Sequence, residues 1–235
     1  MDMLSGAQIA AADLADWRKL AQGLHARYLV ADFATAARFV VAIGEVGDGL
    51  GHHPRVSIGA AHVDLTLVSD DAIYREGDGT EHVVQWVTQL DLDLARRITE
   101  VARGHDLAAD PTGVSQLELG LDTAGSATVA PVWAALLTGD PASQGHGSPS
   151  DEVRDVTGRV PNLWFGDDDG SDPARQRFHL EVYVAPEVVE ERVAAVLAAG
   201  GIVVDDSGAP GTTVIADQHG ATGILCADMS AATRS

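Results

Sequence analysis

The 235-residue chain holds a single cysteine, Cys226. One cysteine excludes an intrachain disulfide and any cysteine-rich metal site. Long apolar runs are also missing, and no stretch approaches the roughly 20 residues that a membrane span needs. The opening Met1-Asp2-Met3-Leu4-Ser5 lacks the charged and apolar regions of a signal peptide. The expectation is a soluble, cytoplasmic protein. Positive charge is scarce: 35 acids face 15 Lys and Arg, for a formal net charge of −20. The imbalance is steeper in residues 106–235, with 20 acids against 6 bases, than in residues 1–105, with 15 against 9. Such a field repels nucleic acid and anionic membrane, so neither is expected as a partner. No glycine-rich phosphate loop of the P-loop or dinucleotide type is present.

What the chain does have is enough apolar residue, 46%, to bury real cores. The first half reads as helix, strand, helix, strand, strand, helix. Ala7 to Gln22 is Ala-rich with a helical period, and Ala26 to Ala31 is a short apolar run. Asp32 can cap a helix over Phe33 to Val46, with apolar positions at Phe33, Ala37, Val40, Val41 and Ile43. Gly47, Gly49 and Gly51 stop it. Val63 to Val68 alternates as a half-buried strand does. Thr88 to Asp91 opens a last helix carrying Leu90, Leu94, Ile98 and Val101. The Gly, Asp and Pro content of Gly104 to Gly113 predicts a linker, which sets domains at 1–105 and 115–235 around a connection at 106–114.

The second half predicts strands at Gln116 to Leu121, Val153 to Thr157, Asn162 to Phe165, Phe178 to Val184, Ile202 to Val204, Thr212 to Ala216 and Gly223 to Cys226. Helices are expected around Ala130 to Leu137 and over Pro186 to Ala199, the latter with Pro at its start and Gly200-Gly201 at its end. A strand-helix-strands pattern thus occurs twice, without sequence identity between the copies.

The most informative stretch is Gly51-His52-His53-Pro54. Two adjacent imidazoles sit on a Gly-bounded, Pro-stopped loop. Each can take or give a proton near neutral pH, so the pair is a candidate acid/base device. Around it run Trp17-Arg18, Asp32-Phe33, Phe39, Asp48 four residues before the pair, Val63 to Leu67, and then Thr88, Asp91, Leu94 and Ala95. In this order the segment resembles pterin-4a-carbinolamine dehydratase (4a-hydroxytetrahydrobiopterin dehydratase). That resemblance implies an α+β domain, a four-stranded antiparallel sheet with helices on one face, assembled as a homo-oligomer, dimer or tetramer. It implies loss of water from a 4a-hydroxytetrahydropterin to give quinonoid dihydropterin, with the pterin as small-molecule substrate and no cofactor required. The departing hydroxide needs a proton and a ring nitrogen must lose one, opposite roles that His52 and His53 can share. Asp91 and Asp70 would support them, and Asp48 and Pro54 would line the substrate. One departure stands out: where the family carries a third histidine after the strand, this chain has Asp70, in Ser69-Asp70-Asp71. A carboxylate can orient an imidazole but cannot replace a neutral donor-and-acceptor ring. The following Ala72 to Trp86 is longer and more polar than the family's, and His82 within it could reach back to the site.

The second half carries Arg177-Phe178-His179-Leu180-Glu181-Val182, a helix ending in Ala198-Ala199-Gly200-Gly201, and Ala216-Asp217-Gln218-His219-Gly220. It resembles the glyoxalase-like group of the vicinal oxygen chelate superfamily, which implies paired βαβββ modules. Active members of that group hold one divalent metal. His179 and Glu118 match ligand positions, while Gly223-Ile224 stands where a last-strand glutamate is expected. A catalytic metal usually has at least three protein ligands. Two alternatives to the dehydratase therefore stand: a metal-dependent lyase or dioxygenase centred on His179, and a non-catalytic small-molecule binding or dimerisation module. The run Asp167 to Asp172 lacks the EF-hand spacing and reads as a hairpin tip. Cys226, with no basic neighbour, reads as an inert thiol.

Overall fold

The computed structural model describes residues 1–145, 152–155, 157–158, 160–168, 177–216 and 218–230. His146, Asp217 and the 169–172 part of the expected hairpin tip lie outside them. The chain forms two compact units, one of Met1–Tyr74, Gln85–Ser115 and the residues from Asp228, the other of Arg75–Val84 and Gln116–Ala227.

The first unit is mixed α and β. Helix α1 covers Gly6–Ala11, started by the Ser5–Gln8 capping box. It is far shorter than the helix expected to Gln22. Asp13 takes a positive φ of 51°, which ends the helix, and the chain turns into β1 (Arg18–Leu20). Trp17 is buried at this turn and donates its indole N–H to Thr99. Strand β2 (Gly23–Leu29) follows, then α2 (Phe33–Asp48), capped by the Asp32 side chain on the Thr35 N–H. Strands β3 (Arg55–Ile58) and β4 (His62–Leu67) complete a four-stranded antiparallel sheet of order β1-β2-β4-β3. Helix α3 (Gln89–Gly104) closes this set, while strands β5 (Ser69–Arg75) and β6 (Glu81–Trp86) form a separate two-stranded sheet from the polar segment, whose Arg75–Val84 part is counted with the second unit.

Alternation decides which face of the sheet is covered. Val63, Leu65 and Leu67 of β4 are buried with Leu24, Ala26 and Tyr28 of β2, and they share one core with Phe39 and Ile43 of α2 and Leu94 and Ile98 of α3. The intervening residues are polar: Arg27 makes a bidentate pair with Asp64 at 2.6 and 2.8 Å. In α2 the buried stripe is Ala36, Phe39, Ile43 and Gly47, whereas Phe33 and Val41 of the expected apolar face are 65% and 64% exposed. Ile43 and, at the margin of the core, Val40 keep to the expected face; the helix is apolar on more than one side, so periodicity alone does not separate Phe33 and Val41 from them. The stretch 106–114 is part of this unit: Ala109 bridges Tyr28, Asp110 N–H reaches the Arg27 carbonyl, and Val114 is buried.

The second unit is a seven-stranded sheet of order β11-β12-β13-β10-β7-β9-β8. Its first module runs β7 (Ser115–Thr123), α4 (Ser126–Thr138), β8 (Glu152–Val153) and β9 (Leu163–Asp167). Its second runs β10 (Phe178–Val184), a 3-10 turn over Pro186–Val188, α5 (Val189–Ala198), β11 (Ile202–Asp205), β12 (Thr212–Ala216) and β13 (Thr222–Cys226). In each module the first strand pairs in parallel with the last, β7 with β9 and β10 with β13. In the first module Gln144, after α4, bridges Val153 of β8 in antiparallel fashion. Residues of one parity face the helices: Leu119, Leu121, Leu163 and Phe165 meet Trp133, Ala134 and Leu137 of α4, while Val182, Val184 and Leu225 meet Val189 and Val193 of α5.

Candidate functional site

The two imidazoles enter on the loop that ends α2. The Leu50 and His52 N–H groups both return to the Gly47 carbonyl, at 2.9 and 3.2 Å, and Gly51 takes a φ of +64°. Gly47 must be glycine for this fold-back. A Cβ there would lie 2.6 Å from His53 Cδ2 and 2.8 Å from the His52 carbonyl oxygen. Pro54 then fixes φ and leads into β3.

The neighbours of the two rings differ sharply. His52, with a side chain 14% exposed, places Nε2 at 2.6 Å from Asp91 Oδ1. Asp91 sits three residues past the N-cap of α3 and is wholly buried. Its second oxygen accepts from the Thr88 N–H at 2.8 Å, the Ser69 hydroxyl at 2.8 Å and the Thr88 hydroxyl at 3.1 Å. The two hydroxyls are also 2.9 Å apart. A buried carboxylate tolerates desolvation only when its lone pairs are met, and here they are. The same residue caps a helix and anchors an imidazole. Hydrogen bonding to Asp91 raises the His52 pKa above its ordinary 6.5, against the opposing effect of burial, and the charges of Asp71 and Asp70 add to the rise. His53 is 51% exposed and pairs through Nε2 with the exposed Asp48 at 2.9 Å.

Asp70 is held elsewhere. It accepts from the Gln85 side-chain amide and lies 3.8 Å from Arg55. Its link to His52 is through its field and not a hydrogen bond. His82 is engaged by Glu76 at 2.8 Å. Sequence reasoning passed over Ser69, whose hydroxyl holds Asp91. A lone serine before two aspartates carries no spacing signal, although its place between a strand and an N-cap threonine is where a hydroxyl could serve a helix start.

In the second unit His179 and Glu118 both lie on the sheet face away from the helices, Glu118 buried on β7 and His179 on β10. Among the described residues no group of three or more His, Cys, Asp or Glu is placed to hold a metal ion. The donors among the described residues thus fall short of the three protein ligands that a catalytic metal usually keeps. Among the described residues, too, no helix is long and apolar enough to cross a membrane.

An acid-anchored histidine on a helix-ending loop, beside a four-stranded antiparallel sheet with two packed helices, defines a candidate acid/base site. Comparison with known proteins gives it a family. The family profile described as pterin 4 alpha carbinolamine dehydratase matches residues 2–101. A protein of Nocardia farcinica, named provisionally as a pterin-4-alpha-carbinolamine dehydratase, is 32% identical over 43% of this chain and 97% of its own length. One from Thermosynechococcus vestitus, named the same way, is 31% identical over 43% of this chain and 96% of its own. A crystal structure of a transcriptional coactivator/pterin dehydratase from Brucella Melitensis is 25% identical, covering 43% of this chain and 99% of that one, with a TM-score of 0.35. Through its N-terminal part, the chain belongs to the pterin-4a-carbinolamine dehydratase family. Residues 118–226 match the profile of a glyoxalase-like domain.

Proposed function

We propose that the protein dehydrates a 4a-hydroxytetrahydropterin, with His52 and His53 moving the protons. The observation that carries this reading is the 2.6 Å contact between His52 and the buried Asp91. With Nε2 fixed on the carboxylate, Nδ1 is the ring atom left for substrate, and the raised pKa favours a proton there near neutral pH. His52 is thus the donor to the departing 4a-hydroxyl, and the more exposed His53 receives the proton lost from the ring nitrogen. The carbon–oxygen bond breaks, water leaves, and the quinonoid dihydropterin remains. Asp70 strengthens the His52 proton through its charge, in place of the family's third imidazole. Phe33 and Val41, exposed on α2, support self-association into a dimer or tetramer.

The test is the rate of 4a-hydroxytetrahydropterin dehydration in wild type, His53→Ala and Asp70→His. Acceleration above the spontaneous reaction that His53→Ala lowers by about 10²-fold or more supports the proposal. No acceleration in wild type, with a gain in Asp70→His, would mean that the site has diverged from this substrate.

A further inference from the structure

The helix-free face of the seven-stranded sheet holds a cavity of about 450 Å³ lined by Asp122, Trp164, His179, Glu181, Val214, Thr222 and Ile224. This size lies within the roughly 300–1,000 Å³ of small-molecule sites. Strand parity puts the lining there. His179, Glu181 and Tyr183 alternate along β10 with the residues that pack on α5, as Trp164 alternates with Leu163 and Phe165 on β9.

Two glycines make room for it. A Cβ on Gly120 would stand 2.4 Å from His179 Nε2, and one on Gly166 would stand 2.4 Å from Asp122 Oδ1. Glycine weakens a strand interior, and its presence there marks a close approach. Here both approaches are made by polar side chains of the cavity wall. The buried Nε1 of Trp164 and Nε2 of His179 have no hydrogen-bond partner among the described residues. Buried polar atoms left unmatched are costly, so a native site usually matches them when occupied. His179 Nε2 is 4.0 Å from Glu181 Oε1, and Glu181 Oε2 accepts from the Tyr183 hydroxyl at 2.9 Å.

The charge of the cavity selects its ligand. Burial first, and then the nearby Glu181 and Glu118 carboxylates, push the Tyr183 phenol above its usual range and the Cys226 thiol up to about 12. Phosphates and carboxylates are repelled by such a wall. A neutral or cationic ligand with N–H donors for Glu181, and a ring acceptor for the Trp164 N–H, matches it. Aromatic walls at Trp164 and His179, themselves edge-to-face at 5.4 Å, suit a flat ring.

We propose that this cavity is a second, metal-independent binding site for an amino-substituted N-heterocycle; naming that ligand as a reduced pterin rests on the dehydratase reading. The fusion then gives one chain a reacting site and a retaining site for the same class of molecule.

The experiment is calorimetric titration of the full chain with 7,8-dihydrobiopterin, in wild type, Glu181→Gln and Trp164→Phe. Glu181→Gln keeps shape and an acceptor for Tyr183, so it tests charge without threatening the fold. The expected result is a binding equivalent that each variant weakens by about tenfold or more, with the dehydration rate unchanged. Dihydrobiopterin binding that neither variant moves, or no binding at all, overturns the proposal. So does loss of the variant-sensitive equivalent after treatment with a chelator, which would make the site metal-dependent. Failure of the dehydratase reading looks different: dehydration stays at the spontaneous rate while the Glu181-sensitive equivalent persists.

Discussion

His52 and His179 each stand near a glutamate or aspartate on a sheet-based unit, yet their surroundings are opposites. The partner of His52 is finished: Asp91 takes a backbone N–H, two hydroxyls and the ring, and nothing about it awaits a ligand. The partner of His179 is 4.0 Å away, and the ring nitrogen and the neighbouring indole N–H are left unmatched among the described residues. The first arrangement suits chemistry, because a fixed tautomer and a fixed ring cost nothing to reorganise during reaction. The second suits binding, because its unmet groups gain most when a molecule arrives. Similar residue types therefore serve different ends according to how many hydrogen bonds the fold has already closed.

The sharpest way to break this contrast is to unfasten His52. Asp91→Asn keeps the volume but removes the charge, and it sets an amide N–H donor against groups that themselves donate. It is expected to lower kcat for dehydration by about 10²–10⁴-fold with little change in KM, measured by steady-state kinetics. Gly47→Ala comes next. Alanine is the better helix former, but its methyl would strike the His53 ring and the His52 carbonyl. Misplacement of about 1 Å can cost about 10²-fold, so the rate should fall that far while the circular dichroism of α2 is kept.

Smaller effects sharpen the account. Ser69→Ala removes one hydroxyl donor from a buried carboxylate, worth about 1.5–3 kcal/mol. Urea unfolding should show a loss of that size, and Ser69→Thr should restore part of the rate if the hydroxyl acts through Asp91. The smallest effect is a pH dependence. The His52 pKa is raised in the folded state above 6.5. The stability it contributes is thus fully present below the unfolded value and is lost as pH rises through the folded one. The stability difference between wild type and His52→Gln should be full below the ordinary value of 6.5 and shrink as pH rises above it, read from urea midpoints.

Much of this was legible in the chain. The strands Phe178–Val184 and Thr212–Ala216 fall where the chain predicts them to the residue, the first on its alternation, because a sheet with one face on helices imposes a period of two. The His-His-Pro loop and Asp91 stood out because they are ordered along the chain as in a known family. Other features left no pattern. The Ala-rich stretch up to Gln22 keeps a helical period while Asp13, in a left-handed conformation, breaks the helix after Ala11. Phe33 and Val41 share a helix with the core yet point away from it. Ser69 matters only because β5 brings it beside the start of α3, which no local spacing records. Asp70, the obvious departure, turns out to be tied to Gln85 and Arg55, whereas its quiet neighbour holds the machinery.

The central claim is that His52, anchored by Asp91, is the working acid/base group of a pterin dehydratase. The direct measurement is the stopped-flow time course of 4a-hydroxytetrahydropterin dehydration by the full chain, wild type beside His52→Ala. Acceleration by wild type and a fall of about 10²–10⁴-fold in the variant are expected. A wild-type rate equal to the spontaneous one, or a His52→Ala variant as fast as wild type, would contradict it.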